Sequence, residues 1–230
     1  MPTGEVNNLT RRAFAGFLNL QVILALLLFT PAWSLHYWQA WIYLIVFGGS
    51  TLLITLYFLK HDPSLIERRI EAGPGAEKER TQKIIQAIAA ALFVALMVVP
   101  GLDHRFHWSH VPVPIVLAAD LLVALGFLIV FLVFRENTYT AGTIKVEAEQ
   151  RVISTGPYSM VRHPMYSGGL MLILATSLAL GSVWGMLLGL AMCVIIVVRL
   201  LDEEKYLSAN LKGYREYCAK VRYRLVPALW

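Results

Sequence analysis

Four clear apolar runs, at roughly 13–33, 38–59, 84–102 and 113–134, constrain this chain more than any other feature. Each has about the 20 residues a helix needs to cross the hydrocarbon core of a bilayer. A fifth apolar region, about 166–201, is too long for one crossing, and Gly181-Ser182 interrupts it near its middle. It reads as a helical hairpin with arms of roughly 16–19 residues, about 24–28 Å each at 1.5 Å per residue. The expectation is an all-α integral membrane helical bundle of about five to six membrane segments, ending in that hairpin. Composition agrees: 57% of residues are hydrophobic and 15% charged, against about 25% charged in an average soluble domain. This excludes a disordered chain and a nucleic-acid module. Two cysteines, Cys193 and Cys218, cannot build a disulfide framework or a Cys-rich zinc site.

The formal charge of +5 is explained by where the cations sit. With the N-terminus placed in the cytoplasm, the inside segments are 1–12, 60–83, 135–165 and 199–230. They hold 19 of the 20 Lys and Arg, and only Arg105 falls outside. Cytoplasmic loops carry such an excess, and anionic inner-leaflet lipid attracts it. Both termini are therefore expected in the cytoplasm, which for a bacterial chain means the inner membrane. Arg11-Arg12 precedes an apolar run of about 20 residues with no clean small-x-small cleavage site, so the run reads as a retained anchor. The 60–83 loop contains a short amphipathic stretch, expected to lie on the membrane surface as a partial helix.

Two polar clusters stand out. Residues 135–167 (RENTYTAGTIKVEAEQRVISTGPYSMVRHPMYS) form a polar insert in a chain otherwise almost wholly apolar. Ser154-Thr155-Gly156-Pro157 reads as a tight turn in which Gly156 lets another group approach the backbone. In Arg162-His163-Pro164-Met165-Tyr166, proline disfavours helix at the residue before it and suits the first helical position. A helix is thus expected to begin at Pro164, with His163 extended ahead of it. A helix start of this kind attracts an anion such as a carboxylate, and Arg162 adds a charged fork beside it. The second cluster, Arg199-Leu200-Leu201-Asp202-Glu203-Glu204, lies where the hairpin returns to the same side. Anion-binding and cation-binding groups therefore meet at one interfacial pocket suited to a zwitterionic, positively charged ligand. In the tail, Leu207, Leu211, Tyr214 and Tyr217 fall at helical spacing and read as an interfacial amphipathic helix able to cap the pocket.

The run GPYSMVRHPMYSGG, the pair Glu203-Glu204 and the tail GYREYCAKVRYRLVP together resemble the isoprenylcysteine carboxyl methyltransferase family, and the phospholipid N-methyltransferases share its general plan. The resemblance covers about residues 135–227. Residues 1–134 read as membrane helices from their apolar runs, and the resemblance implies 135–230 as a catalytic region facing the cytoplasm. It also implies an S-adenosylmethionine site: Gly156, Pro157 and Tyr158, with His163 and Tyr166, would hold the cofactor. Glu203 and Glu204 would face its amino group or sugar, and Arg162 or the helix start at Pro164 would take its carboxylate. Arg199, Glu203 and His163 are the expected catalytic residues. A lipophilic acceptor would enter sideways from the bilayer past Asn137 and Arg199.

Methyl transfer from a sulfonium is an in-line displacement, so the protein mainly has to align donor and acceptor and exclude water. A carboxylate acceptor needs no general base. An amine or thiol must first lose a proton, and there Glu203, His163 or Tyr166 would matter. The acceptor stays open among a prenylcysteine, an isoprenoid acid, a phospholipid headgroup and a thiol. Two rivals remain: an NADPH-dependent reductase of the sterol reductase type, which carries a similar RHPxY segment and tail, and a non-catalytic membrane protein. Nucleic acid and metal are not expected; His104, His107 and His110 do not share one helical face. Asp120 reads as a solvated group near the outer end of its span. Gly181, Gly185 and Gly189 read as a close-packing stripe between the hairpin arms.

Overall fold

Each apolar run becomes a helix in the computed structural model, which describes residues 3–71, 80–138 and 151–230. Residues 72–79 of the first polar loop and 139–150 of the polar insert lie outside the described residues. The helices are α1 (Thr3–Ala32), α2 (Trp38–His61), α3 (Pro63–Glu71), α4 (Arg80–Phe106), α5 (Val113–Glu136), α6 (Pro164–Ala179), α7 (Trp184–Asn210) and α8 (Tyr214–Lys220). Among the described residues there is no strand. Five helices, α1, α2, α4, α5 and α7, are long and apolar enough to cross a membrane. With 16 residues, α6 reaches about 24 Å, short of a hydrocarbon core of about 30 Å. The protein is a multi-pass membrane helical bundle.

The helices outrun their apolar cores. Arg11 and Arg12 sit exposed within α1. Asp103, His104 and Arg105 complete the last turns of α4, and the acidic run Asp202–Glu204 continues α7. Arg, Lys and Glu are good helix formers and Asp and His are tolerated, so a helix runs on past the point where hydrophobicity stops. The expected surface helix is α3, with Pro63 in its first turn and Asp62 accepting from the Leu65 N–H (3.2 Å) and the Ser64 hydroxyl (2.5 Å). Its apolar face docks on the bundle: Leu65 and Ile66 are buried with Leu9, Ala13, Phe58 and Phe134.

Glycine sets the tightest contacts. Between α5 and α6, a Cβ on Gly126 would fall 3.0 Å from the Gly168 carbonyl oxygen, and one on Gly168 would fall 3.0 Å from that of Gly126. The expected break is the left-handed Gly181 (φ +72) between α6 and α7. From there Gly185 and Gly189 face Ser177 and Ile173 of α6, as a packing stripe should. At this hairpin end, the Tyr37 hydroxyl donates to the Leu180 carbonyl at 2.5 Å. Asp103 accepts from the Ser109 N–H at 2.8 Å, the Ser109 hydroxyl and the Ser182 hydroxyl at 2.5 Å. The Ser182 oxygen accepts in turn from the Gly185 N–H at 3.0 Å. These bonds pin the end of α4 to the α6–α7 turn.

Two expectations are corrected. Asp120 is not solvated: it is 4% exposed, and neither carboxylate oxygen has a hydrogen-bond partner. Its side chain points among the helices, on the same face of α5 as Val116, Ala119 and Val123. The tail is not one interfacial helix either. Gly213 (φ +87) separates α7 from α8, and Leu211, Tyr214 and Tyr217 are buried against Val152 and Tyr158. A left-handed glycine terminates a helix, and the turn it makes folds the apolar face of the tail inward.

Candidate functional site

Proline and chain reversal assemble the candidate site at the bundle end opposite the hairpin turn. His163 has non-helical backbone angles (φ −127, ψ 61), and α6 starts at Pro164 as the X-Pro rule requires. The tail fixes the preceding loop through its backbone: the Arg162 N–H donates to the Tyr223 carbonyl and the His163 N–H to that of Arg224, both at 2.9 Å. The Ser167 hydroxyl donates to the Leu225 carbonyl at 2.7 Å. Antiparallel to α6, α7 returns the acidic pair to this level.

Glu204 is the hub. Its Oε1 lies 3.2 Å from Arg162 Nε and 3.2 Å from His163 Nε2, and its Oε2 accepts from Arg224 Nε at 2.9 Å. The Arg162 contact lacks hydrogen-bond alignment, which leaves that buried Nε without a partner. His163 Nε2 also lies 3.4 Å from the Tyr214 hydroxyl. Two guanidinium groups on one carboxylate leave a positive excess in a place shielded from water. Such a cluster favours an anion at Arg162, while Glu204 favours a cation.

Glu203 points to a second chain. The Tyr166 hydroxyl donates to Glu203 Oε2 at 2.6 Å and accepts from Arg199 Nε at 3.2 Å. Arg199 and Glu203 stand one turn apart on α7, and the α6 tyrosine bridges them. Asp202, the third acid of the run, accepts from Gln82 of α4, which ties the site helix to the first half of the chain.

The third element is the turn Gly156–Ser159, a single 3-10 turn. The close approach expected at Gly156 (φ +54) is made by Glu136: a Cβ there would lie 2.8 Å from its carboxylate. The Thr155 hydroxyl donates to the same carboxylate. Asn137 donates to the Tyr158 hydroxyl at 3.1 Å, and the Tyr217 hydroxyl donates to the Tyr158 carbonyl at 2.7 Å. Burial pushes the Tyr158 phenol up to about 12; the Asn137 hydrogen bond opposes the rise and the Glu203 charge adds to it. Burial also raises Tyr214 and Tyr217. All three phenols stay protonated at neutral pH; the Tyr217 hydroxyl is a fixed donor, and that of Tyr158 accepts from Asn137.

The structure thus brings Arg162, His163 and Glu204 into direct contact and joins Tyr166, Glu203 and Arg199. It carries Gly156, Pro157 and Tyr158 on an adjoining turn that also holds Asn137. Pro164 starts the helix beneath. Sequence reasoning missed Glu136 and Gln82 as parts of this region, and it placed Tyr214 and Arg224 only in a tail able to cap it. Arg224 stands in the tail run GYREYCAKVRYRLVP, but nothing in that run signalled its contact with Glu204. Among the described residues, no group of three or more potential metal ligands forms.

Comparison with known proteins now bears on this geometry. The phospholipid methyltransferase family matches residues 114–213. This part of the chain is related to the phospholipid methyltransferases. The match runs from the start of α5 to Gly213 and contains both Arg162-His163 and Glu203-Glu204. A delta(14)-sterol reductase of Mus musculus is 31% identical over 150 residues, covering 56% of this chain and 35% of the reductase. The chain therefore spans about a third of the length of that relative.

Proposed function

We propose that this protein is a membrane methyltransferase that uses S-adenosylmethionine to methylate a lipophilic acceptor. The observation that carries the reading is the phospholipid methyltransferase match over residues 114–213, which takes in the cluster around Glu204. The residues fit such a cofactor. Its amino-acid end is a zwitterion, and the cluster offers both signs of charge, with a buried Arg162 Nε that lacks a hydrogen-bond partner. In this reading Arg162 and the helix start at Pro164 take the carboxylate, and Glu204, with Glu203, takes the ammonium or sugar. Gly156, Pro157, Tyr158, His163 and Tyr166 form the walls. When bound, the cofactor supplies an activated methyl group.

The chain's own part is alignment and exclusion of water. Arg199 and Glu203, held in register by Tyr166, and His163 are the residues assigned to the acceptor. The acceptor enters from the bilayer between helices and passes Asn137 and Arg199. A carboxylate acceptor, as in an isoprenylcysteine or another isoprenoid acid, suits this arrangement best, because the arginine orients it and no proton has to be removed. Residues 135–230 carry the chemistry and 1–134 the membrane anchoring. The distribution of Lys and Arg supports a cytoplasmic site and cytoplasmic ends of the chain.

The test is transfer of a labelled methyl group from S-adenosylmethionine to farnesylcysteine, a free isoprenoid acid, phosphatidylethanolamine and a small thiol, each presented in lipid vesicles. Label in at least one acceptor, dependent on Glu204, supports the reading; no label in any, from folded protein, removes it. Identity to a sterol reductase favours a second reading, an NADPH-dependent reductase. Oxidation of NADPH in the presence of a Δ14-sterol would replace the first reading with this one.

A further inference from the structure

The three basic side chains on Glu204 are not equivalent. The Arg162 and His163 side chains are 10% and 6% exposed and belong to the loop that leads into α6. The Arg224 side chain is 30% exposed and arrives from the tail. The tail at this point is not helical. It crosses the entry to α6 and is held there by three successive carbonyls, those of Tyr223, Arg224 and Leu225, which accept from the Arg162 N–H, the His163 N–H and the Ser167 hydroxyl. Leu225 is its one buried anchor between exposed Tyr223 and Val226. Beyond it the chain turns back, and the N–H groups of Arg224 and Leu225 donate to the Trp230 main-chain oxygen at 2.8 and 2.9 Å. Beneath this segment Glu204 is 12% exposed. A ligand group that approaches Glu204 from the tail side meets the Arg224 guanidinium on Oε2.

We propose that Tyr223–Leu225 is an opening strap over the site and that Arg224 is its latch, which a cationic group of the ligand replaces at Glu204. This rests on reading Glu204 as a ligand-binding residue. The exchange is physically accessible on three counts. A partly exposed ion pair contributes little net stability, because water competes for both partners. Glu204 keeps Arg162 and His163 when Arg224 leaves, so its buried charge is never left alone. Arg224 has a second resting place, since its guanidinium already lies 5.1 Å from the centre of the Trp230 ring. Arg162 has no such freedom: it is buried, and its backbone is bonded to the strap it would have to leave.

The experiment is amide hydrogen exchange on the ligand-free, detergent-purified full chain, with Arg224→Ala and Arg224→Lys beside the wild type. Stopped-flow binding of S-adenosylhomocysteine accompanies it. Arg224→Ala is expected to speed exchange about tenfold at residues 223–226 and at Arg162 and His163, with α5 and α7 unchanged, as for a local opening. Arg224→Lys falls between the two. Association and dissociation of S-adenosylhomocysteine both accelerate in Arg224→Ala. Unchanged exchange at these amides, or exchange raised equally along α6 and α7, would overturn the latch. Faster exchange with unaltered binding rates would overturn it as a gate. A wild type that binds no S-adenosylhomocysteine, with exchange as expected, would keep the latch and remove the methyl-donor reading.

Discussion

Asp103 and Glu204 are carboxylates shielded from water at opposite ends of one helix bundle, and their partners differ in kind. Asp103 is held by two serine hydroxyls and a backbone N–H, all on tight turns next to α4 and α7. Glu204 is held by two arginines and a histidine that come from 20 to 42 positions away, one of them on a non-helical, partly exposed stretch of tail. Neutral donors fixed to backbone turns make a staple: removing one leaves the others buried and unpaired. A partly exposed arginine on a long side chain makes a site, because a ligand charge can take its place on the carboxylate. Burial and charge type alike are thus matched to opposite tasks, and variants at the two ends separate them.

The largest effect is expected from Asp103→Ala. It strands Ser109 and Ser182 at the hairpin end, and thermal unfolding in detergent should report a loss of about 3 kcal/mol. The folded fraction should bind S-adenosylhomocysteine as the wild type does; a parallel loss of affinity would mean the two ends are coupled and the comparison fails. Glu204→Gln should do the reverse. Calorimetry should show binding weakened about 30-fold, equivalent to about 2 kcal/mol, with stability falling less than in Asp103→Ala. A smaller effect belongs to Tyr166→Phe, which removes the hydroxyl between Arg199 and Glu203. Turnover should drop about tenfold, or 1.4 kcal/mol in barrier, while cofactor affinity changes little; an unchanged rate would make this bridge structural. The smallest is Gly156→Ala. The left-handed φ and the nearby Glu136 carboxylate make it strained, at about 1 kcal/mol of stability, read from the midpoint of unfolding.

The membrane helices were legible because about 20 apolar residues in a row have few other fates. The start of α6 was legible because Pro164 restricts His163 and supplies the first helical residue, and the hairpin break because Gly181 takes a left-handed turn. The meeting of Arg162-His163 with Glu204 followed from folding the hairpin back. What was not legible depends on contacts that leave no period in the sequence. Arg224 reaches the site because tail carbonyls pair with the backbone of Arg162 and His163, and backbone pairing carries no side-chain signal. Gly213 turned an apparently continuous helical stripe into two elements around Tyr158. Asp120 lies on the packed face of α5, which distance from the end of a span does not reveal. The Gln82–Asp202 bond joins residues 120 positions apart.

The central claim is that the cluster around Glu204 holds a methyl-donor cofactor. Calorimetric titration of the detergent-purified protein with S-adenosylhomocysteine, and in parallel with NADPH, tests it most directly. Saturable binding of S-adenosylhomocysteine alone, weakened in Glu204→Gln and His163→Ala, is the predicted result. Binding of NADPH alone, or S-adenosylhomocysteine affinity that neither substitution alters, would contradict it.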